Sequence, residues 1–224
     1  MKPLIGVLSL QGDIPEHAAK LEQAGALTRP VRRETDLEGL AGLVIPGGES
    51  TTMMNLLDVF GLGKLLAREL AAGLPVWGTC AGMILLAREI LDGRPDQKAG
   101  FACIDMQVRR NAFGSQVDSY EEDLLVSRLS QPERPFRAVF IRAPWVERAE
   151  EEVEILATSQ RTFASSAQPS SAETSIGYTN TQAGGVTPIV AVAQEQALAT
   201  SFHPELGEDL RWQELFLTDF VKGA

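Results

Sequence analysis

The first half of the chain alternates short apolar runs with longer stretches whose apolar residues recur at helical spacing. The apolar runs are residues 4–10, 42–48 and 74–78, and the helical patterns cover 14–26, 50–62, 63–73 and 81–93. A buried strand followed by an amphipathic helix and another buried strand is typical of βαβ units. We therefore expect an α/β fold with a largely parallel sheet, helices on both of its faces, and functional residues where the strands end.

The second half changes to a succession of apolar segments joined by short turns. Strands are predicted over 104–110, 123–129, 136–144, 153–159, 188–194 and 197–204, and a closing helix over 209–223. The short connections between these strands predict that antiparallel strands extend the parallel ones, so that the sheet is mixed. The segment 160–186 is rich in Ser, Thr, Gln, Ala and Gly, and we expect a flexible surface insertion in what is otherwise one domain, residues 1–224.

Composition excludes several classes of function. The 224 residues are 44% hydrophobic, enough for a core without disulfides, and the net charge of −10 argues against binding to nucleic acid or to an anionic membrane. The apolar runs are too short for a transmembrane helix. With Cys80 and Cys103 as the only cysteines and no secretion signal, a cytoplasmic location is expected. Two histidines and no C-x-x-C pair predict no metal site.

Residues 78–82 read GTCAG and lie between a predicted strand and a predicted helix. This is the context of a nucleophile elbow, with Cys80 in place of serine. Small residues on either side let strand and helix approach, and the start of the helix favours a thiolate. The alternative is a buried structural cysteine at the start of a helix.

The segment SFHPE, residues 201–205, supplies a candidate base. Pro204 favours an extended His203, so that His203 and Glu205 would point to the same side and the carboxylate could orient the imidazole. The alternative is a surface histidine beside a solvated glutamate. His17, the other histidine, lies in the first predicted helix without a comparable partner and is the weaker candidate.

The segment PGGES, residues 46–50, follows an apolar strand. Its glycines would let backbone amides approach a ligand, and the alternative is a strand-to-helix turn capped by Ser50. No lysine follows the glycines, so a P-loop is excluded. A thiol, an oriented imidazole and a glycine-rich turn at one sheet edge are sufficient for acyl transfer through a thioester.

Motifs that carry a family resemblance span nearly the whole chain. They are LSLQG (8–12), EH (16–17), PGGESTTM (46–53), GTCAGMILLA (78–87), RRNAFGSQVDSYE (109–121), VFIRAP (139–144) and SFHPEL (201–206). Together they resemble the class I (triad) glutamine amidotransferases and, more narrowly, the family of glutaminase subunits of pyridoxal 5'-phosphate synthase. The resemblance implies a flavodoxin-like, three-layer α/β/α sandwich with a mixed, largely parallel sheet.

The same resemblance implies hydrolysis of L-glutamine to L-glutamate and ammonia, with Cys80, His203 and Glu205 as the catalytic triad. The amides of Gly48 and Ala81 would form the oxyanion hole. The residues implied to bind glutamine are Gly48, Glu49, Ser50, Arg110, Ile141 and Arg142.

The resemblance also implies a partner, a synthase subunit that uses the ammonia within a large hetero-oligomer. Gln11 and the segment around His17 resemble the region that docks on it. Pyridoxal 5'-phosphate would be the product of the complex, and the chain itself would need no cofactor. Two alternatives stay open: the glutaminase of another pathway, such as histidine biosynthesis, and a non-catalytic redox or binding protein that uses Cys80 as a sensor.

Overall fold

A computed structural model describes residues 1–91, 100–110, 119–161, 163–164, 181–182 and 185–221. The strands are β1 (Leu4–Leu8), β2 (Leu27–Val31), β3 (Gly42–Ile45), β4 (Val76–Thr79), β5 (Ala87–Ile90), β6 (Ile104–Arg109), β7 (Ser119–Leu124), β8 (Phe136–Ile141), β9 (Trp145–Ala149), β10 (Glu154–Thr158), β11 (Phe163–Ala164), β12 (Thr181–Gln182), β13 (Gly185–Val186), β14 (Ile189–Gln194) and β15 (Ala197–Thr200). The helices are α1 (Ile14–Gln23), α2 (Ser50–Val59), α3 (Leu62–Ala71), α4 (Ala81–Leu86) and α5 (Arg211–Leu215). Shorter turns of 3₁₀ type cover Glu34–Leu37 and Pro204–Leu206, and a π-helical turn covers Phe216–Phe220.

Within these residues, ten strands form one mixed sheet in the order β2-β1-β3-β4-β15-β14-β9-β6-β5, with β10 also paired to β14. The first five strands of this order are parallel to one another, and β14 begins the antiparallel part. Strands β7 and β8 pair separately. The expectation of a mixed, largely parallel sheet is therefore confirmed, although β15, from the second half of the chain, is parallel to β4 and antiparallel to β14.

Both faces of the central parallel strands β1, β3, β4 and β15 are buried, which follows from their largely apolar sequences. Leu43 and Ile45 of β3 pack in one hydrophobic cluster with Met53 of α2 and Leu66 of α3. Val44, which points to the other face, packs in a second cluster that includes the C-terminal segment. The sheet is thus the middle of three layers, as expected.

Several element boundaries differ from the sequence prediction. The helix predicted over 81–93 ends at Leu86, because Ala87–Ile90 instead pairs in parallel with β6 at the sheet edge. Strand β2 was not predicted, since its polar, Pro-containing sequence shows little apolar pattern; it is the opposite edge strand. The strand predicted over 123–129 lies earlier, at Ser119–Leu124, where it pairs with β8.

Two predicted features fall largely outside the described residues. They are most of the insertion at 160–186 and the part of RRNAFGSQVDSYE that covers 111–118. Within 160–186 the backbone of β11, β13 and β12 forms a small antiparallel sheet. Among the helices of the described ranges, none combines the length and the apolar character needed to cross a membrane.

Candidate active site

The candidate site lies at the carboxyl ends of four neighbouring parallel strands. The segments that follow β1, β3, β4 and β15 carry Gln11, the Gly47–Glu49 turn, Cys80 and His203, respectively. Parallel strands end at the same edge of a sheet, so the topology alone brings these segments together. This is the edge at which the sequence predicted the chemistry.

Cys80 lies in a strained turn between β4 and α4. Its φ and ψ angles are 49° and −106°, a region that residues with a side chain rarely adopt, and its backbone N–H donates to Thr200 O at 2.8 Å. A Cβ added to Gly78 would lie 2.5 Å from the Gly82 backbone, and one added to Gly82 would lie 2.1 Å from Ile45 O. The two glycines therefore provide the close backbone approach that the elbow requires.

His203 and Glu205 are both buried and joined by a hydrogen bond of 2.7 Å between Nδ1 and Oε1. The contact arises differently from the prediction, because Pro204–Leu206 forms a 3₁₀ turn rather than an extended segment. Pro204 occupies the first position of that turn, where its fixed φ and missing N–H are tolerated. With Nδ1 bonded to the carboxylate, Nε2 remains for Cys80.

The surroundings of His203 and Glu205 shift the pKa values of both side chains away from their ordinary values. Burial lowers the pKa of His203, but hydrogen bonds with Cys80 and Glu205 outweigh it and raise this pKa to about 10. Burial raises the pKa of Glu205, yet the proximity of His17 and His203 brings it below its usual value. At neutral pH the pair is therefore an imidazolium and a carboxylate.

The glycine-rich turn is fixed by contacts on both sides. Gln11 Oε1 accepts a hydrogen bond of 3.2 Å from the backbone N–H of Glu49. The Glu49 carboxylate accepts from the N–H groups of Thr51 and Thr52 at 3.1 and 2.7 Å and so caps α2. The alternative of a cap at Ser50 is wrong, because Ser50 is already the first residue of the helix.

A cavity of about 110 Å³ opens beside Cys80. All six residues that the resemblance assigned to glutamine line it, together with Cys80, Ala81, Ile84 and Pro144; the six are Gly48, Glu49, Ser50, Arg110, Ile141 and Arg142. Arg110 donates to Thr51 Oγ1 at 3.2 Å and pairs with Glu49 Oε1 at 3.4 Å. The Cys80 thiol lies 3.8 Å from Ile141 O.

His17, the weaker of the two histidine candidates in the sequence, lies buried beside Glu205. It is 1% exposed, and its Nε2 lies 3.1 Å from Thr79 Oγ1 and 3.3 Å from Glu205 Oε2. The position of His17 between Ile14 and Leu21 on the apolar stripe of α1 is the one signal that pointed to burial.

Cys103 differs from Cys80 in its surroundings. Burial raises the pKa of its thiol to about 11, which disfavours the nucleophilic thiolate. In the described part of the chain, one group of three potential metal ligands is close enough to share an ion, namely Asp13, His203 and Glu205. His203 and Glu205 already bind each other.

Comparison with known proteins extends over the whole chain. The SNO glutamine amidotransferase family model matches residues 7–222. "Pyridoxal 5'-phosphate synthase subunit PdxT" of Mycobacteroides abscessus is 52% identical over 224 residues, 100% of both chains, and that of Salinispora arenicola is 50% identical over 99% of this chain and 98% of its own. A crystal structure described as a glutamine amidotransferase superposes with a TM-score of 0.76 at 40% identity, covering 95% of this chain and 96% of the other.

Proposed function

This chain belongs to the SNO glutamine amidotransferase family and is a glutaminase subunit of pyridoxal 5'-phosphate synthase, and we propose that Cys80, His203 and Glu205 carry out its reaction. The observation that supports these roles most directly is the strained Cys80 beside a buried His203–Glu205 pair. A nucleophile next to a base that a third group orients is the arrangement that covalent acyl transfer requires.

In the proposed reaction, the Cys80 sulfur attacks the side-chain amide carbon of L-glutamine. The C–N bond breaks as the His203 imidazolium gives its proton to the departing nitrogen, which leaves as ammonia. Neutral His203 then takes a proton from water while the water oxygen attacks the thioester, releasing L-glutamate and restoring the Cys80 thiolate beside the His203 imidazolium. Glu205 keeps Nδ1 occupied, so that Nε2 faces the reacting atoms.

The cavity beside Cys80 is the proposed glutamine site. Arg110 and Arg142 supply positive charge for the α-carboxylate, and Glu49 supplies negative charge for the α-ammonium group. Ser50 and Ile141 complete the lining. The backbone amides of Gly48 and Ala81, two residues that line the cavity together with Cys80, would stabilise the tetrahedral oxyanion.

The proposal extends to the destination of the ammonia. At neutral pH free ammonia is mostly protonated and no longer nucleophilic, so a direct transfer to the synthase subunit preserves its reactivity. We propose that the two subunits form a large hetero-oligomer in the cytoplasm, with the region around Gln11 and His17 at their contact. The net charge of −10 supports a role without nucleic acid or membrane.

Glutamine hydrolysis by the wild-type chain and by Cys80→Ala, each with and without the synthase subunit, tests the proposal. The substitution should abolish hydrolysis by several orders of magnitude, and the complex should still form pyridoxal 5'-phosphate from an added ammonium salt. Cys103→Ala is the matched control and should retain hydrolysis. Full hydrolysis by Cys80→Ala would refute the assigned nucleophile, and failure of the ammonium rescue would argue against ammonia donation.

A further inference from the structure

We propose that His17 is a positioning residue of the active site, which holds the second carboxylate oxygen of Glu205 from the side opposite His203. The inference rests on the proposed glutaminase function and adds a fourth side chain to its machinery. Glu205 then lies between two imidazoles, with Oε1 bonded to His203 Nδ1 at 2.7 Å and Oε2 at 3.3 Å from His17 Nε2.

The His17 ring is fixed by contacts that leave it little freedom. Its Nε2 lies 3.1 Å from Thr79 Oγ1, and its plane stands edge-on to the Trp77 ring, with centroids 6.4 Å apart. Trp77 is in turn held by a hydrogen bond of 3.2 Å to Thr200 Oγ1. Thr79 immediately precedes the nucleophile, so His17 connects the strand of Cys80 to the acidic member of the triad.

The chemistry of these contacts defines the tautomer of His17. Burial lowers the pKa of His17, so the ring is neutral at neutral pH and carries one proton. A lone pair on Nε2 would face the carboxylate oxygen and be repelled, whereas an N–H on Nε2 points positive charge at Oε2. The proton therefore belongs on Nε2, between Thr79 Oγ1 and Glu205 Oε2.

Glu205 depends on this N–H because its second oxygen lacks other support. Among the described residues Oε2 has no hydrogen bond of normal geometry, although the side chain is fully buried. The charged and titratable groups around the pair are His203, Cys80, Asp13, whose Oδ2 lies 3.8 Å from His203 Nδ1, and two residues of α1, Glu16 and the Lys20 that pairs with Glu208. Without the N–H of His17, Glu205 would rotate toward another partner or bind a proton, and either change releases His203.

Substitutions at His17 that differ in shape and in hydrogen-bonding capacity test the inference in the complex with the synthase subunit. His17→Leu keeps apolar volume without a donor, and His17→Gln can place an amide N–H near the position of Nε2. We expect His17→Leu to lower kcat for glutamine hydrolysis about 10-fold or more with little change in KM, and His17→Gln to recover most of it. The acid limb of the pH–rate profile should also move to higher pH in His17→Leu, because Glu205 then binds a proton more readily.

Controls separate positioning from folding. Gln23→Leu makes a similar change on the exposed side of α1 and should leave kcat unaltered. If His17→Leu does not fold, His17→Asn, whose amide is too short to reach Glu205, replaces it and should be less active than His17→Gln. A folded Leu or Asn variant with wild-type kcat and pH profile, or a Gln variant as impaired as the variant without a donor, would overturn the inference.

The rate at which iodoacetamide alkylates Cys80 is a second readout, and it does not require that the chain hydrolyses glutamine. We expect slower alkylation in His17→Leu than in His17→Gln, because a misplaced His203 no longer supports the thiolate. A wild-type complex that hydrolyses no glutamine would contradict the proposed function alone, whereas equal alkylation rates would contradict the role of His17.

Discussion

Gly47 packs directly against the imidazole of His203, so that a Cβ added to this glycine would lie 2.6 Å from Cε1 of the ring. The same Cβ would lie 3.4 Å from Cβ of Cys80. Gly47→Ala should therefore displace the imidazole by several tenths of an ångström while leaving the sheet intact. We expect kcat to fall about 10- to 100-fold, since a displacement of about 1 Å from the reacting geometry can cost about 100-fold.

The matched control is Gly63→Ala in α3, where an added Cβ meets nothing closer than 3.8 Å. That variant should retain full activity and gain up to about 1 kcal/mol in the free energy of unfolding, since alanine favours helix more than glycine does. Thermal melts and steady-state kinetics of both variants test this prediction. An unchanged kcat in Gly47→Ala would contradict it, because the added methyl group would then not impair the role of His203.

The position of the site was predictable from the sequence because few physical rules determine it. Apolar strands alternating with helices predicted that β1, β3 and β4 are parallel and that the site lies at their carboxyl ends, but not that β15 lies parallel beside β4. The spacing of Gly78 and Gly82 around Cys80 indicated a tight turn without knowledge of any distant contact. Local patterns were therefore enough to indicate that Cys80 and His203 follow strands at the same edge of the sheet.

Features that depend on distant contacts were not predictable in this way. His17 and Thr79 are 62 residues apart in the sequence, and no local pattern around either residue predicts their contact. Residues 87–90 carry a helical pattern, yet Arg88 and Glu89 find partners across the sheet edge on Asp105 and Gln107 of β6. Pairing with a neighbouring strand thus outweighed local helix propensity.

The elbow glycines should be required for stability as well as for activity. Gly82→Ala would place a methyl group 2.1 Å from the carbonyl oxygen of Ile45, a rigid backbone atom. We expect a loss of about 2–3 kcal/mol in the free energy of unfolding, or a fall of about 5–10 °C in Tm for a domain of this size. A melting temperature equal to that of the wild type would show that β3 can move away from α4.

Arg110 should act in binding rather than in bond cleavage. Its guanidinium lines the cavity and is held by Thr51 and Glu49, so its charge is oriented before substrate arrives. Arg110→Gln should raise KM for glutamine about 10- to 100-fold with kcat changed much less, the pattern of a contact made equally in the ground and transition states. A large fall in kcat at unchanged KM would instead place Arg110 in the chemical step.

Glu49 should make the free energy of unfolding depend on pH in the acidic range. Burial raises the pKa of Glu49, but hydrogen bonds from Thr52 and Thr51 outweigh it and lower the pKa to about 2, against 4.5 for an ordinary glutamate. Because the folded value is the lower one, the stabilisation is present above about pH 4.5 and is lost as the pH falls toward 2. Urea unfolding should find Glu49→Gln less stable than the wild type by about 1 kcal/mol at pH 7, with the difference shrinking below pH 4. A difference that stays constant with pH would argue against a charged cap.

The pKa values of the two histidines should depart in opposite directions from that of an ordinary imidazole. The pKa of His203 is raised to about 10, because its hydrogen bonds with Cys80 and Glu205 outweigh burial, whereas burial lowers the pKa of His17. With His17 and His203 as the only histidines, the Cε1–H region of an NMR spectrum contains two signals, and His203→Asn assigns them. Between pH 6 and 10.5 one signal should keep the chemical shift of a neutral ring, while the other changes only near the upper end.

Since the folded pKa of His203 is higher than that of an ordinary imidazole, its contribution to stability is complete below about pH 6.5 and declines as the pH rises toward 10. In Glu205→Gln the midpoint for His203 should fall, because the carboxylate that favours the imidazolium is gone. Two signals that both titrate near pH 6.5 in the wild type would contradict the charge arrangement on which the roles of His203 and His17 depend.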